Sequence, residues 1–230
     1  MCGRFVSKAK LPAVESEFAV TLVSGADDTI SEARYNIAPT QMIAAVIDND
    51  ADRELTEFKW GLVPYWAKDD SMSARMINAR SETLIEKPSF RQAFKKRRCI
   101  IPAGGFYEWA QTGGKGKQPY YFYLKDTDVF GFAGLWETWT DQGTGETLET
   151  CTIITTTANA VLKPVHDRMP VILPKSDYNL WLDQSVKDTD RLQKLLIPFP
   201  AERMDSHAVG KSVNTPTANS EELIAPLNSL

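Results

Sequence analysis

Cysteine is scarce in this 230-residue chain, with three copies, and histidine is scarcer, with two. Cys2, Cys99 and Cys151 are odd in number and far apart, with no CxxC pair and no neighbouring histidine. That argues against both a disulfide framework and a zinc site, so no metal is expected. Cys99 and Cys151 sit in apolar stretches and read as inert core thiols, which fits a reducing compartment, the cytoplasm. No apolar run approaches the roughly 20 residues of a membrane helix. Lys8 and Lys10 lead into Pro12 and Glu15, not into the apolar segment of a signal peptide. Positive charge is not in excess either, with a net charge of -4. This lowers the expectation of a nucleic-acid partner without excluding a local basic groove. Repeats, low-complexity blocks and obvious linkers are also missing.

What is present is an ordinary globular composition, 43% hydrophobic and 24% charged, in a length that can bury a sizeable core. Short strand-like runs dominate. Met42 to Ile47 and Leu55 to Trp60 flank the polar Asp48-Asn49-Asp50 and predict a hairpin. Further strands are predicted at Cys99 to Ala103, Phe106 to Ala110, Pro119 to Leu124, Val129 to Leu135, Leu148 to Thr156 and Val171 to Leu173. Turns are predicted at Gly113-Gly114-Lys115-Gly116 and Asp141 to Gly145. Helical patterns cover Leu11 to Val20, Pro88 to Lys96, Ser176 to Gln184 with Ser176 as N-cap, and Asp188 to Leu196. The basic run Lys95-Lys96-Arg97-Arg98 reads as a helix C-terminus, where cations offset the dipole. Tyr35 to Thr40, Val63 to Arg80 and His166 to Pro170 read as irregular. The expected fold is α+β, a single domain over residues 1–230 built on a curved, mostly antiparallel, barrel-like sheet with flanking helices.

The opening Met1-Cys2-Gly3-Arg4-Phe5 carries the sharpest chemistry. A small second residue predicts removal of Met1, leaving Cys2 as the amino terminus. One residue would then hold an amine and a thiol, with reference pKa values of about 8 and about 8.5. The amine can attack an aldehyde to give an imine, and the nearby thiol can add to the imine carbon and close a thiazolidine. Other groups could serve such a site, each with a plainer reading beside it. His166, between Val165 and Asp167-Arg168, could move protons or be a surface turn residue. His207 reads as structural. Glu108, within Phe106-Tyr107-Glu108-Trp109, is either a buried acid–base group or an outward residue between inward aromatics. Asn78 could orient an amine or simply form a turn. Arg80 and Arg168 could grip phosphates or pair with carboxylates. Trp60 reads as core; Trp66 is open to either role.

Taken together, these segments resemble the SRAP family, the SOS-response-associated peptidases. The matching stretches are Cys2-Gly3-Arg4-Phe5, Arg34 to Pro39, Trp60 to Pro64, Ile77 to Glu82, Gly105 to Trp109 and His166 to Pro170. Asn214-Thr215-Pro216-Thr217 departs from the family pattern. The resemblance implies a compact bacterial-type protein that binds single-stranded DNA and traps abasic sites, whose ring-opened sugar exposes an aldehyde. It implies that Cys2 forms the Schiff base and thiazolidine, that Glu108 and His166 carry protons, and that Asn78 holds the terminal cysteine. It places Arg4, Arg80 and Arg168 on the DNA backbone, and Pro39 and Trp66 against bases. It further implies no cofactor, a monomer, a cytoplasmic location with association to the nucleoid through DNA, and a peptidase activity confined to Met1.

Two other classes compete. Glutamine amidotransferases of the N-terminal-nucleophile type also begin Met-Cys-Gly, though Arg4-Phe5 and the Glu108 strand fit them poorly. A non-covalent reader of single-stranded or modified DNA would use the same basic and aromatic groups without a bond to Cys2.

Overall fold

Seven consecutive residues, Thr150 to Thr156, are buried, without the exposed alternate positions of a one-sided strand. A strand covered on both faces needs a layer on each side, and the architecture supplies both. The computed structural model describes residues 2–25, 27–49, 52–114 and 116–227. The expected loss of Met1 and the turn positions Asp50 and Lys115 lie outside the described residues.

In chain order the strands are β1 (Phe5–Ser7), β2 (Leu22–Val23), β3 (Arg34–Ile37), β4 (Met42–Asn49), β5 (Asp52–Trp60), β6 (Asn78–Arg80) and β7 (Arg98–Ala103). They continue with β8 (Gly105–Gln111), β9 (Lys117–Leu124), β10 (Phe130–Thr140), β11 (Thr147–Thr157), β12 (Arg168–Pro170), β13 (Ile172–Leu173) and β14 (Met204–Ala208). The helices are α1 (Leu11–Phe18), α2 (Asp27–Ile30), α3 (Pro88–Lys96), α4 (Tyr178–Leu182) and α5 (Thr189–Gln193).

β5, β4, β7, β10 and β11 close on themselves. β4 runs antiparallel to β5 from Met42↔Lys59 to Asn49↔Asp52, and β4 meets β7 at Val46↔Ile100. β7 pairs with β10, and β10 with β11, both antiparallel. The last joint is parallel, with Thr150↔Lys59 and Cys151↔Trp60 joining β11 to β5. The result is the expected α+β fold on a mostly antiparallel barrel with one parallel seam. Inside it lie Ile43, Ala45, Phe58, Trp60, Cys99, Ile101, Phe132, Cys151 and Ile153. The alternate residues Ala44, Val46, Leu55, Ile100 and Ile154 face outward, covered by Phe18 of α1, Phe90 and Phe94 of α3, and Trp181 of α4. Successive side chains of a strand point to opposite faces, and both faces of β4 are covered, so its run reads as continuously apolar rather than alternating.

A second sheet, in the order β14-β9-β8-β1-β3, caps the barrel. Its apolar face meets the barrel through rings: Phe5 packs edge-on against Trp60 at 5.3 Å and Phe132 at 6.0 Å, and Phe106 against Phe132 at 6.0 Å. Edge-to-face geometry suits the ring quadrupoles and adds to the area buried.

The basic run after α3 acts as a helix stop, and Arg98 takes that role furthest. It is 1% exposed. Its Nη1 donates to the carbonyls of Phe94 and Lys95 at 2.9 Å, its Nε to that of Trp181 at 2.6 Å, and its Nη2 to that of Asp183. One guanidinium thus satisfies C-terminal carbonyls of both α3 and α4, groups that have no intrahelical partner. Burial lowers its pKa to about 10.

Several expectations shift. Ser176 is not an N-cap: Lys175–Asp177 forms a 3₁₀ turn, and α4 begins at Tyr178. Strands β1, β3, β6 and β12 occupy segments that read as irregular or went unassigned. Each is three or four residues long, too short for periodicity to register. No helix among the described residues is long and apolar enough to cross a membrane.

Candidate functional site

Cys2 is placed by the strand that follows it. β1 pairs antiparallel with β8 at Phe5↔Phe106 and Val6↔Gly105, and Tyr107 N donates to Arg4 O at 3.0 Å. Continuing that register brings Gly3 opposite Glu108. Glu108 is 3% exposed, so its side chain is buried and not turned to solvent. Cys2 is fully buried in the same cluster as Phe5, Trp60 and Phe106. The surroundings push the Cys2 thiol pKa well up, first through desolvation and second through the charge of Glu108. The thiol is therefore held as S–H, and the charge of Glu108 helps keep its proton in place.

Asn78 completes the contact. Its Nδ2 donates to the Cys2 carbonyl at 2.8 Å, and its Oδ1 is buried with no hydrogen-bond partner among the described residues. The parallel pairing Ile153↔Asn78 fixes it against β11. The preceding carbonyl, Ile77 O, accepts from Trp60 Nε1 at 2.9 Å and Ile153 N at 3.1 Å. Cys2, Asn78 and Glu108 are thus brought together from three distant parts of the chain.

His166 and Arg80 reach the C-terminal end of β11. Arg80 lies opposite Thr155 on one side of that strand, and Pro170 lies opposite it on the other. Arg80 is exposed, and its guanidinium makes no ion pair among the described residues. His166 is half-buried. Its Nδ1 lies 2.9 Å from Arg168 N–H and 3.0 Å from Asp167 Oδ1. These contacts make opposite demands, since the first needs a bare nitrogen and the second a protonated one. The Arg168 N–H is directed at Nδ1, which therefore acts as the acceptor and places the ring proton on Nε2.

The other two arginines are occupied. Arg168 is 8% exposed, and its fork grips Glu82, Nη1 to Oε1 at 2.6 Å and Nη2 to Oε2 at 2.9 Å. Arg4 Nη1 donates to Asn36 Oδ1 and Val213 O, both at 2.8 Å, and burial lowers its pKa. Asn36 in turn donates to the carbonyls of Thr215 and Ala218, and Trp109 Nε1 to Asn214 Oδ1. The Asn214 to Thr217 stretch is therefore pinned to the strands around Cys2. Glu82 and Asn36 are functional candidates that local sequence missed. Both stand in quoted motifs, but nothing nearby in sequence names their partners.

Trp66 and its neighbour Tyr65 are 47% and 56% exposed, on a segment held by Val63 N to Thr150 Oγ1 at 3.0 Å and Trp139 Nε1 to Ala67 O at 2.8 Å. The preceding Gly61 is required: its φ is +135°, and a Cβ there would sit 2.6 Å from Ser73 O. Pro39 is half-buried beside Thr40, whose N–H donates to Trp60 O at 2.8 Å. His207 is structural, its Nε2 2.7 Å from Ile224 O and its ring against Tyr121 and Tyr123. Among the described residues no group of three or more His, Cys, Asp or Glu is placed to hold a metal ion. Open cavities of about 480, 640 and 550 Å³ are lined by residues other than Cys2, Asn78 and Glu108. Chemistry, not cavity size, marks the site.

Comparison with known proteins bears on this arrangement. The chain is 43% identical over 228 residues to the abasic site processing protein YoqW of Bacillus subtilis, covering 97% of this chain and 99% of that one. It is 41% identical over 230 residues to YoaM of the same organism, named alike, covering all of both. The abasic site processing protein HMCES of Gallus gallus is 35% identical over 207 residues, 79% of this chain and 61% of that one. A crystal structure of a protein from Bacteroides thetaiotaomicron superposes with a TM-score of 0.89 at 30% identity, covering 98% of this chain and 100% of the other. The family model of the SOS response associated peptidases matches residues 1–216. With that match spanning the strands that hold Cys2, Asn78, Glu108 and His166, the chain belongs to the SRAP family.

Proposed function

We propose that this protein processes abasic sites in single-stranded DNA by bonding to them covalently through Cys2, in a DNA damage response. The observation that carries the reading is the buried cluster at Cys2: the Asn78 amide on its carbonyl, and the buried Glu108 brought opposite Gly3 by the β1–β8 register. The names of the relatives support the substrate. The chemistry below is the reading's own.

With Met1 removed, the Cys2 amine attacks the aldehyde carbon, forming a C–N bond as the carbonyl electrons move to oxygen. Protonation of that oxygen expels water and leaves an imine. The thiol then adds to the same carbon, giving its proton to Glu108 while the C=N electron pair returns to nitrogen, which is reprotonated. One water is released in total, and no oxidant or reductant is needed. A thiol kept protonated is a poor nucleophile toward other targets, so the amine acts first and the sulfur second. Asn78 fixes the attacking residue, and its Oδ1 can accept from the amine. His166, donating from Nε2, assists proton transfer around sugar opening.

Arg80 meets a backbone phosphate, and Trp66 and Pro39 lie against bases beside the lesion. Arg4, whose Nη1 is held by Asn36 and Val213, and Arg168, whose fork is held by Glu82, reach the backbone only alongside those bonds. The protein acts as a monomer in the cytoplasm without a cofactor, and its peptidase activity is confined to Met1. The test is intact-mass measurement before and after mixing with an abasic oligonucleotide. The expected product is the sum of the two masses less one water, on protein lacking Met1. A DNA complex that dissociates in denaturant would instead make this a non-covalent reader, and ammonia release from glutamine would make it an amidotransferase-type hydrolase.

A further inference from the structure

Arg168 has two kinds of bond that point in different directions. Its side chain holds Glu82 with both nitrogens of the fork and Thr155 O at 2.6 Å, while its backbone N–H holds Nδ1 of His166. Glu82 belongs to the 3₁₀ turn Ser81–Thr83 that directly follows β6, the strand of Asn78. The ion pair therefore bridges β11, tying the end of the Asn78 strand to the His166 segment. A two-pronged arginine–carboxylate pair is planar and directional, so it fixes orientation as well as distance. The Glu82 carboxyl is held below its usual range, chiefly by the hydrogen bond from Arg168.

The nitrogen that Arg168 N–H occupies is contested. Asp167 Oδ1 stands 3.0 Å from the same Nδ1, and a carboxylate there favours a proton on Nδ1. Whichever group keeps its place decides which ring nitrogen carries the proton, and hence which atom can donate toward a substrate. We infer that Glu82 is a positioning residue: by clamping Arg168 it keeps Nδ1 of His166 an acceptor and leaves the proton on Nε2. The consequence for catalysis rests on the function proposed above, whereas the tautomer itself does not.

The experiment uses the full chain labelled with ¹⁵N-histidine. The protein has only two histidines, and His207 serves as the internal reference, because its Nε2 faces a carbonyl that can only accept. Wild type should show the Nε2–H pattern for both rings. Glu82→Ala should move His166 to mixed or Nδ1-protonated signals with His207 unchanged. In single-turnover cross-linking it should lower the saturating rate about tenfold or more, with the half-saturating DNA concentration within about twofold. Glu82→Gln keeps an acceptor for one prong and should restore most of that rate. An unchanged His166 pattern in the folded alanine variant would overturn the inference. So would lost DNA affinity with an intact saturating rate, which would make Glu82 a binding residue. If the alanine variant does not fold, Arg168→Lys, which keeps the charge and loses the fork, must show the same change at His166; a wild-type pattern there is equally fatal. Wild type that forms no adduct while showing the expected tautomers would reject the proposed function and leave the clamp standing.

Discussion

The Asn78 side chain donates to the main-chain carbonyl of Cys2 at 2.8 Å, holding the residue by its backbone and not by its sulfur, which donates to Arg4 O at 4.0 Å. Asn78→Ala should therefore slow adduct formation without weakening DNA binding. A misplacement of about 1 Å costs about 100-fold in rate, and losing one hydrogen bond costs about 1 kcal/mol of stability. Single-turnover assays should show a rate 10- to 100-fold lower, by the same reasoning about placement, at an unchanged half-saturating concentration. A purely weaker affinity would assign Asn78 to DNA contact.

Cys2→Ala should abolish the heat-stable adduct. Cys2→Ser retains the amine and should yield mainly product that survives only after borohydride reduction. Denaturing gels with and without borohydride read both variants, and a stable unreduced adduct from either would rule out ring closure by sulfur.

Glu108 and Arg80 should separate rate from affinity. Glu108→Gln removes the charge that helps keep the Cys2 proton in place, so the thiol pKa falls, although burial still holds it above the ordinary value. At fixed pH, alkylation of Cys2 followed by mass spectrometry should become faster, while cross-linking slows by about 100-fold. Arg80→Ala should leave the saturating rate near wild type, weaken binding, and reduce the salt slope by about 0.7, one phosphate contact on a single strand. Equal effects on rate and affinity in both variants would invert these roles.

Alkaline stability follows from burial of the thiols and phenols. Burial raises the pKa of Cys2, Cys99 and Cys151 and of Tyr107, Tyr121 and Tyr178. Above the unfolded values, about 8.5 for thiols and about 10 for phenols, the unfolded chain releases protons that the native chain keeps. The native state then binds more protons, so stability falls as pH rises, by up to about 1.4 kcal/mol per pH unit for each group. Below about pH 8 these groups make no difference. Denaturant melts between pH 7 and 11 should show midpoints that are flat at first and then fall; a midpoint rising with pH would contradict the burial.

Arg98→Leu removes the one cation that serves the carbonyls of Phe94, Lys95, Trp181 and Asp183. Each orphaned buried acceptor costs about 1–3 kcal/mol before relaxation. A net loss of about 3 kcal/mol should lower the melting temperature by about 6–12 °C in a chain of this size. A change within 2 °C would show that water replaces the guanidinium.

The barrel was largely legible because its strands are long apolar runs bounded by polar or glycine-containing turns. The apolar run Met42 to Ile47, ended by the polar Asp48-Asn49, places β4, and Pro88 followed by Phe90, Ala93 and Phe94 places α3. The site was legible as a set of motifs and not as a place. Glu108 sits where buried aromatics occur on both faces of β8, so local pattern could not say whether it turned inward. Asn78 meets Cys2 across 76 positions, and Glu82 meets Arg168 across 86. Contacts of that span are set by sheet register and barrel closure, which no local window contains. The resemblance placed Arg168 on the DNA backbone, yet its fork is filled by a carboxylate within the chain.

The pairing of β1 with β8 and the hold of Arg4 and Asn36 on Val213, Thr215 and Ala218 have a consequence for how the molecule comes into being. The shelter around Cys2 is assembled from β1, β3, β8 and the Val213 to Ala218 stretch, so a fragment cut between any of these segments loses part of its walls.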